Sequence, residues 1–169
     1  MTRQRRPMKD SLTVQTRIVL PGDTNTHNTL FGGLLMQFID EVAAVAAQRH
    51  TQRPVVTAAI DEVHFHKPIV KGHIVTIEAY VASAGNTSVE VFVKIMTEEP
   101  RLNQRSIAAL SFLTFVALDE EGRPAPVPDV YPETEEQHFV YRDRLARRQA
   151  RQRKRQETEK LITALERAK

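Results

Sequence analysis

The segment Leu34–His50 constrains the fold more than any other part of the chain. Almost every position from 34 to 47 is apolar or small. Such a run predicts a helix that is buried nearly all round, not one that lies on a surface. At about 100° per residue, one narrow stripe interrupts the apolar surface. The stripe consists of Gly33, Gln37, Asp40, Glu41, Ala44 and Gln48.

The start of this helix and its acidic residue together suggest chemistry. Gly32 and Gly33 carry no side chain, so a ligand can approach the unpaired amides and the positive dipole end of the first turn. Burying the Asp40 carboxylate costs free energy unless it is paired with a charge, hydrogen-bonded or used in a reaction. A helix start that is open to a polarised oxygen, with an acid on the same helix, suits acyl chemistry.

Two simpler interpretations compete with this one. The stripe could be an ordinary solvent-facing surface, and the glycines could only permit a tight turn. The narrowness of the stripe and the apolar residues at positions 42–47 weigh against both. The helix alone leaves the function open.

Five other segments have the alternation or the β-branched residues that are typical of strands. They are Leu12–Leu20, Val55–Phe65, His73–Ala82, Val89–Met96 and Ser106–Leu118. The last four follow one another through connections too short for parallel winding. The sequence therefore predicts an α+β fold in which an antiparallel sheet of about five strands wraps around one long buried helix.

The chain divides into three parts on composition. Residues 1–118 form the predicted sheet-and-helix domain, and residues 119–133 form a Pro-rich linker. Residues 134–169 form a basic C-terminal helix or tail, which carries 11 Lys and Arg against 6 Asp and Glu. This segment could be a solvated tail or a helix docked on a neighbouring subunit.

Composition excludes several classes of protein. The chain has no cysteine, so it cannot hold a disulfide, a thiolate zinc site or a cysteine nucleophile. No apolar stretch follows the basic start, and no run approaches the roughly 20 residues that span a bilayer. We therefore expect a soluble, cytoplasmic protein that does not enter a membrane.

A resemblance to a known family covers about Leu12 to Leu118. It is carried by T-N-T-H-N-T-L-F-G-G-L-L-M-Q-F-I-D-E-V-A, by V-V-T-A-A-I-D-E-V-H-F-H-K-P-I and by K-G-H-I-V-T-I-E. These stretches resemble the hotdog-fold acyl-CoA thioesterases, specifically the bacterial and brain-type acyl-CoA hydrolase group. The resemblance implies a hotdog fold and the hydrolysis of an acyl-CoA to a free acid and CoA. It also implies a homodimer at minimum. Three such dimers would assemble into a homohexamer.

The resemblance also implies roles for individual residues. Asp40 would be the general base or nucleophile, and the Gly33 amide would polarise the thioester carbonyl. A loop asparagine would help to position the carbonyl or the water; we assign this role to Asn28, with Asn25 and Thr29 as open alternatives. On the strand after the helix, Thr57 could bond the attacking water.

Geometry gives a separate argument that two subunits share the site. Asp40 lies seven residues beyond Gly33, which is about 10 Å along a helix axis. Catalytic contacts need about 3 Å, so one subunit cannot supply both groups to one carbonyl. Two antiparallel copies of the helix across a two-fold axis would bring Asp40 of one near Gly33 of the other.

The substrate's CoA moiety needs binding groups of its own. We predict these to be Gly32, Asn86, Thr87, Ser88 and Lys67. Lys71 and Arg105 are further candidates for its phosphates. CoA belongs to the substrate and product, so we predict no separate cofactor.

Other chemistries are less favoured. Glu62 and His66 are too far apart along a strand to share an ion easily, and His64 between them completes no cluster, so we predict no metal site. The chain lacks a phosphate-binding glycine loop and a G-x-S-x-G elbow. Two alternative functions stay open: an acyl-CoA-sensing, non-catalytic protein with a basic tail, and an enoyl-thioester hydratase that uses His27. The tail lacks interleaved aromatics and a DNA-binding helix pair, so nucleic acid is not an expected partner.

Overall fold

The computed structural model describes residues 3–168, which form eight strands and three α-helices. The strands are β1 (Arg5–Pro7), β2 (Thr13–Ile18), β3 (Val55–Ile60), β4 (His64–Phe65), β5 (Ile74–Ala84), β6 (Ser88–Glu99), β7 (Gln104–Ala117) and β8 (Asp129–Tyr131). The helices are α1 (Gly32–Thr51), α2 (Glu135–Arg142) and α3 (Arg144–Arg167). Short 3-10 turns occupy Met8–Ser11 and Pro21–Asp23.

The main sheet is antiparallel and has the strand order β2-β5-β6-β7-β3, with β4 pairing with β7 beside β3. Long hairpins join β5, β6 and β7, and bulges interrupt the pairings β5–β6, β6–β7 and β3–β7. Such bulges bend a sheet. Strand β3 stands at one edge, and its residues 56–60 are exposed.

Helix α1 fills the concave, inner face of the sheet. It packs against β2, β3, β5, β6 and β7. Its buried side chains include Leu35, Phe38, Ile39 and Val42, and each such burial stabilises the fold by about 1.5–3 kcal/mol. The sheet curled around one helix is the predicted α+β hotdog arrangement, with β4 added to the five expected strands.

One side of α1 stays uncovered in the protomer. The predicted polar stripe lies there, since Gly33, Gln37, Glu41 and Gln48 are exposed while Asp40 and Ala44 are half-buried. Met36 and Val45 share this side and are also exposed. The expectation of burial nearly all round was therefore wrong for the single protomer, because the sheet covers only part of the helix.

The segment predicted as a linker packs on the body. Ala125, Val127 and Val130 are buried, and strand β8 pairs in parallel with β1 at the other end of the chain. This packing does not mark residues 119–133 as a separate unit. The predicted domain boundaries at residues 118 and 133 therefore stay predictions.

The C-terminal segment is helical, as predicted, but it breaks at Asp143 into α2 and α3. A capping box between Thr134 and Gln137 starts α2. Glu136 of α2 bonds Lys94 on the outer face of the sheet, the face opposite α1. Burial raises the pKa of Tyr80, which also contacts Glu136 there.

The histidine near the end of α1 makes the stability sensitive to acid. His50 is fully buried, with Nε2 3.1 Å from the Pro128 carbonyl oxygen. Burial lowers its pKa below the ordinary 6.5, and the nearby Arg6 guanidinium acts in the same direction.

We expect the free energy of unfolding to fall as the pH drops below 6.5. There the unfolded chain gains a proton that folded His50 does not, which costs up to about 1.4 kcal/mol per pH unit. Urea unfolding at pH values on either side of 6.5 measures the loss, and His50→Gln should show a smaller loss. An equal loss in His27→Gln and His50→Gln would contradict this explanation.

In the part of the chain that the structure describes, no helix is long and apolar enough to cross a membrane.

Candidate active site

The first turn of α1 presents free backbone donors. Phe31 is the N-cap residue, and its carbonyl oxygen accepts the first helical bond, from the Leu35 amide at 3.0 Å. Nothing within residues 3–168 accepts a hydrogen bond from the amides of Gly32 and Gly33. These donors lie at the positive end of the helix dipole, where they can stabilise an oxygen that gains negative charge.

The ring of Phe31 gives Gly33 a second reason to be glycine. A Cβ atom added at Gly33 would lie 2.6 Å from the Phe31 ring, which is closer than atoms can approach. On the other side, a Cβ atom at Gly32 would lie 3.7 Å from the ring of Phe65. Two phenylalanine rings therefore flank the glycine pair, and both are exposed in the protomer.

The loop before α1 is held by Asn25. Its side-chain oxygen accepts hydrogen bonds from the amides of His27 at 2.9 Å and Thr29 at 3.3 Å. This is the local bonding that favours asparagine in turns. Asn28 occupies the left-handed region, with φ 57°, and its side chain is exposed.

A cavity of about 370 Å³ opens beside the start of α1. Its walls are mainly apolar, with Leu30, Leu35, Phe65 and Ile69. Its lining also includes Asn25, Thr29, Gly32, His66, Lys67 and Pro68. Of the three loop residues considered from the sequence, Asn25 and Thr29 reach this cavity and Asn28 does not.

The acidic residue of α1 is held by the strand that follows the helix. Thr57 Oγ1 on β3 donates a hydrogen bond of 2.8 Å to Asp40 Oδ1. Asp40 Oδ2 accepts none from the described residues, so it can accept a proton from a water molecule. Asp40 does not line the cavity at Gly32, which agrees with the separation of about 10 Å along the helix.

The predicted CoA-binding residues fall into two groups. Gly32 and Lys67 line the cavity at the start of α1. Thr87 and Ser88 line a different groove, on the outer face beside α3. Neighbouring Asn86 is exposed in the same turn, and its carbonyl oxygen accepts from Val127. One protomer therefore does not bring all five residues together.

The remaining candidates have other partners. The Arg105 guanidinium bonds Glu98 Oε2 at 2.7 and 3.0 Å, so it is already neutralised. His64 Nε2 lies 2.9 Å from Glu62 Oε2. No group of three or more His, Asp or Glu among residues 3–168 is placed to hold a metal ion.

Sequence reasoning missed the two phenylalanines. Phe31 directly precedes the glycine pair, and this position in the sequence could have indicated an aromatic ring packed on the start of the helix. Phe65 carried no such signal, because its contact with Gly32 depends on how β4 folds back along β7.

The sequence matches a known protein family. The model of the thioesterase superfamily matches residues 27–103. A Bacillus subtilis protein called an uncharacterized acyl-CoA thioester hydrolase is 46% identical over 164 residues, which is 97% of this chain and 95% of that protein.

Solved structures of acyl-CoA hydrolases also resemble this chain. An acyl-CoA hydrolase from Staphylococcus aureus, in complex with butyryl-CoA, CoA and CoA disulfide, superposes with a TM-score of 0.93 at 44% identity, covering 95% of this chain and 98% of that one. A hexameric acyl-CoA thioesterase superposes with a TM-score of 0.87 at 42% identity, covering 89% and 97%. Structures of the S. aureus enzyme also exist with alanine replacing an aspartate, an asparagine that precedes it in the chain and a threonine that follows it.

Proposed function

This chain belongs to the thioesterase superfamily of acyl-CoA thioester hydrolases, and from that membership we propose that it hydrolyses acyl-CoA to a free carboxylic acid and CoA. The observation that carries the proposal is the hydrogen bond between Thr57 and Asp40 on the uncovered side of α1. It fixes one carboxylate oxygen and leaves the other to take a proton from water.

In the proposed reaction, water attacks the thioester carbon while its proton passes to Asp40. The carbonyl oxygen gains negative charge and is stabilised by the Gly33 amide. The carbon–sulfur bond then breaks, and the CoA sulfur takes the proton. The base and the oxyanion donor lie too far apart on one helix to serve the same carbonyl, so Asp40 of one subunit acts with Gly33 of another.

The three positions replaced in the S. aureus enzyme support a choice among the loop residues. Their asparagine, aspartate and threonine have the same spacing along that chain as Asn25, Asp40 and Thr57 have along this one. Asn25 is also the asparagine that lines the cavity beside Gly32. We therefore assign the role of positioning the carbonyl to Asn25 in place of Asn28.

The same subunit arrangement implies an oligomer. A homodimer is the smallest assembly that completes the site, and the hexameric relative supports a homohexamer. The cavity beside Gly32 would take the part of the substrate next to the thioester, and Lys67 in its lining would bind a charged group of CoA. Within one protomer, Thr87 and Ser88 lie apart from Gly32 and Lys67. A CoA that contacts both pairs of residues would have to cross from one subunit to another.

One assay tests the reaction. Purified protein is mixed with acetyl-, butyryl-, octanoyl- and palmitoyl-CoA, and free thiol is measured. We expect thiol release with at least one of them. Crotonyl-CoA losing its enoyl absorbance without thiol release would indicate a hydratase, and no release from the whole panel would contradict the proposal.

The amide of Gly33 gives a specific prediction. Gly33→Pro and Gly33→Ala both add a Cβ atom against Phe31, but only proline removes the N–H group. Proline is tolerated in a first helical turn, where the amide has no partner in the helix. We expect kcat to be about 10²–10³-fold lower for Gly33→Pro than for Gly33→Ala. Equal rates would show that the amide has no part in the reaction.

The hydroxyl of Thr57 gives another specific prediction. Thr57→Val keeps the branched side chain of a strand residue and removes the bond to Asp40. We expect kcat to fall at least about tenfold, since a hydrogen bond to a charged group contributes roughly 1.5–3 kcal/mol. Steady-state kinetics should show this fall with little change in KM. Thr57→Ser is the matched control and should retain most of the rate.

A further inference from the structure

Helix α3 crosses the outer face of the sheet towards its open edge. Early in α3, the Arg147 guanidinium stacks 4.2 Å from the centre of the Phe112 ring on β7 and bonds Glu90 on β6. One turn later, Arg151 bonds Glu90 and lies 3.7 Å from Asp61, the residue after β3. The helix therefore passes over β6 and β7 and reaches β3, which is the edge strand.

The helix does not end at that edge. Residues 152–167 continue for 16 positions, about 24 Å at 1.5 Å per residue. All of them are exposed, and their side-chain hydrogen bonds stay within the helix, as between Arg155 and Glu159 at 2.8 Å. As far as Glu159 the helix still forms one wall of the groove on its own protomer's outer face, and residues 160–167 lie beyond that groove. In proteins, most of the stability of a helix comes from packing one of its faces against other elements.

The last two turns of α3, residues 160–167, carry one apolar cluster. Leu161, Ile162 and Leu165 are 58%, 49% and 60% exposed. Their spacing places them on one side of the helix. In a segment otherwise made mainly of charged and polar residues, three such side chains together indicate a contact surface.

We propose that residues 160–167 lie against the outer face of a second copy of this chain, which sits beside β3. Two observations select this occupant. Edge strand β3 is paired on one side only within residues 3–168, and an uncovered edge is a pairing surface. Val56 and Ile60 on β3 are exposed, and so are Met36 and Val45 on the uncovered side of α1, which the Thr57–Asp40 hydrogen bond joins to β3. A two-fold axis beside β3 would place the end of α3 of each copy against the other copy, which makes the contact isologous.

The inference rests on the subunit pairing in the proposed function, and it goes beyond that pairing. The uncovered side of α1 would bring the reacting groups together on the inner side of the sheet. The last two turns of α3 would tie the two subunits together on the outer side. The end of α3 then acts as an intersubunit strap, and its start is anchored to its own sheet at Glu90.

A tryptophan reporter tests where the strap lies. The sequence has no tryptophan, so Ile162→Trp and Leu145→Trp each carry a single reporter on the same helix. Leu145 is 59% exposed and lies before the crossing. In the assembled protein we expect acrylamide to quench the reporter at position 162 several-fold less than the one at position 145. Equal quenching would overturn the inference, and so would protection that appears only when phosphatidylserine vesicles are added.

A second measurement identifies the partner as another copy. Leu161→Glu combined with Leu165→Glu should raise the dissociation constant of the assembly at least about tenfold in sedimentation at rising urea. Leu145→Glu is the matched control and should leave it unchanged. Equal constants would overturn the inference. Neither measurement uses hydrolysis, so a protein that assembles this way but releases no thiol would contradict only the proposed function.

Discussion

Asp40→Asn is expected to lower kcat for acyl-CoA hydrolysis by about 10²–10⁴-fold, the usual contribution of a positioned general base. The amide has the size of the carboxylate and its oxygen can still accept the bond from Thr57, so the local structure should persist. What is lost is the oxygen that takes the proton from water. Thiol release with the best substrate of the panel measures the change.

A neighbouring carboxylate provides the control. Glu41 lies on the same side of α1 and accepts a hydrogen bond of 2.8 Å from the Gln37 side chain. Glu41→Gln should keep kcat within a few-fold of the unmodified enzyme. Both variants should unfold at the same temperature as that enzyme. Full activity in Asp40→Asn would remove Asp40 from the mechanism.

The second large effect concerns stability. Glu90 is 2% exposed on the outer face, and its charge is balanced by Arg147 and Arg151. We expect the double replacement Arg147→Ala and Arg151→Ala to lower the free energy of unfolding by about 3–5 kcal/mol, because it leaves a buried carboxylate unpaired. Denaturant unfolding followed by circular dichroism measures this loss.

Two further variants show whether the unpaired charge is the cause. Adding Glu90→Gln to the double variant removes the charge and should recover a large part of the loss. Arg148→Ala replaces an exposed arginine on the same helix and should change the free energy of unfolding by less than about 0.5 kcal/mol. A double variant as stable as Arg148→Ala would show that the arginines contribute little.

Local sequence patterns were enough to predict the main elements of the fold. The apolar run predicted α1 within two residues at its start and one at its end, because a helix of this length leaves a strong periodic signal. The alternating segments predicted the long strands for the same reason. Short strands were missed: β1 and β8 have three residues each, and their pairing depends on residues more than 100 positions apart.

The candidate site was harder to predict because its parts depend on tertiary placement. Asp40 stood out as a carboxylate among apolar neighbours, and the structure places it against Thr57. The choice among Asn25, Asn28 and Thr29 needed the folded loop, since any asparagine is compatible with a turn. The break of the C-terminal helix at Asp143 was also invisible, because the polar residues around it are all compatible with a helix.

The claim that two subunits share each site is tested most directly by mixing two inactive variants. Asp40→Asn and Gly33→Pro chains are co-expressed in equal amounts. If each site takes Asp40 from one subunit and Gly33 from the other, half of the dimers are mixed and each holds one intact site. We therefore expect about a quarter of the unmodified thiol-release rate. A rate no higher than the average of the two variants alone would contradict it.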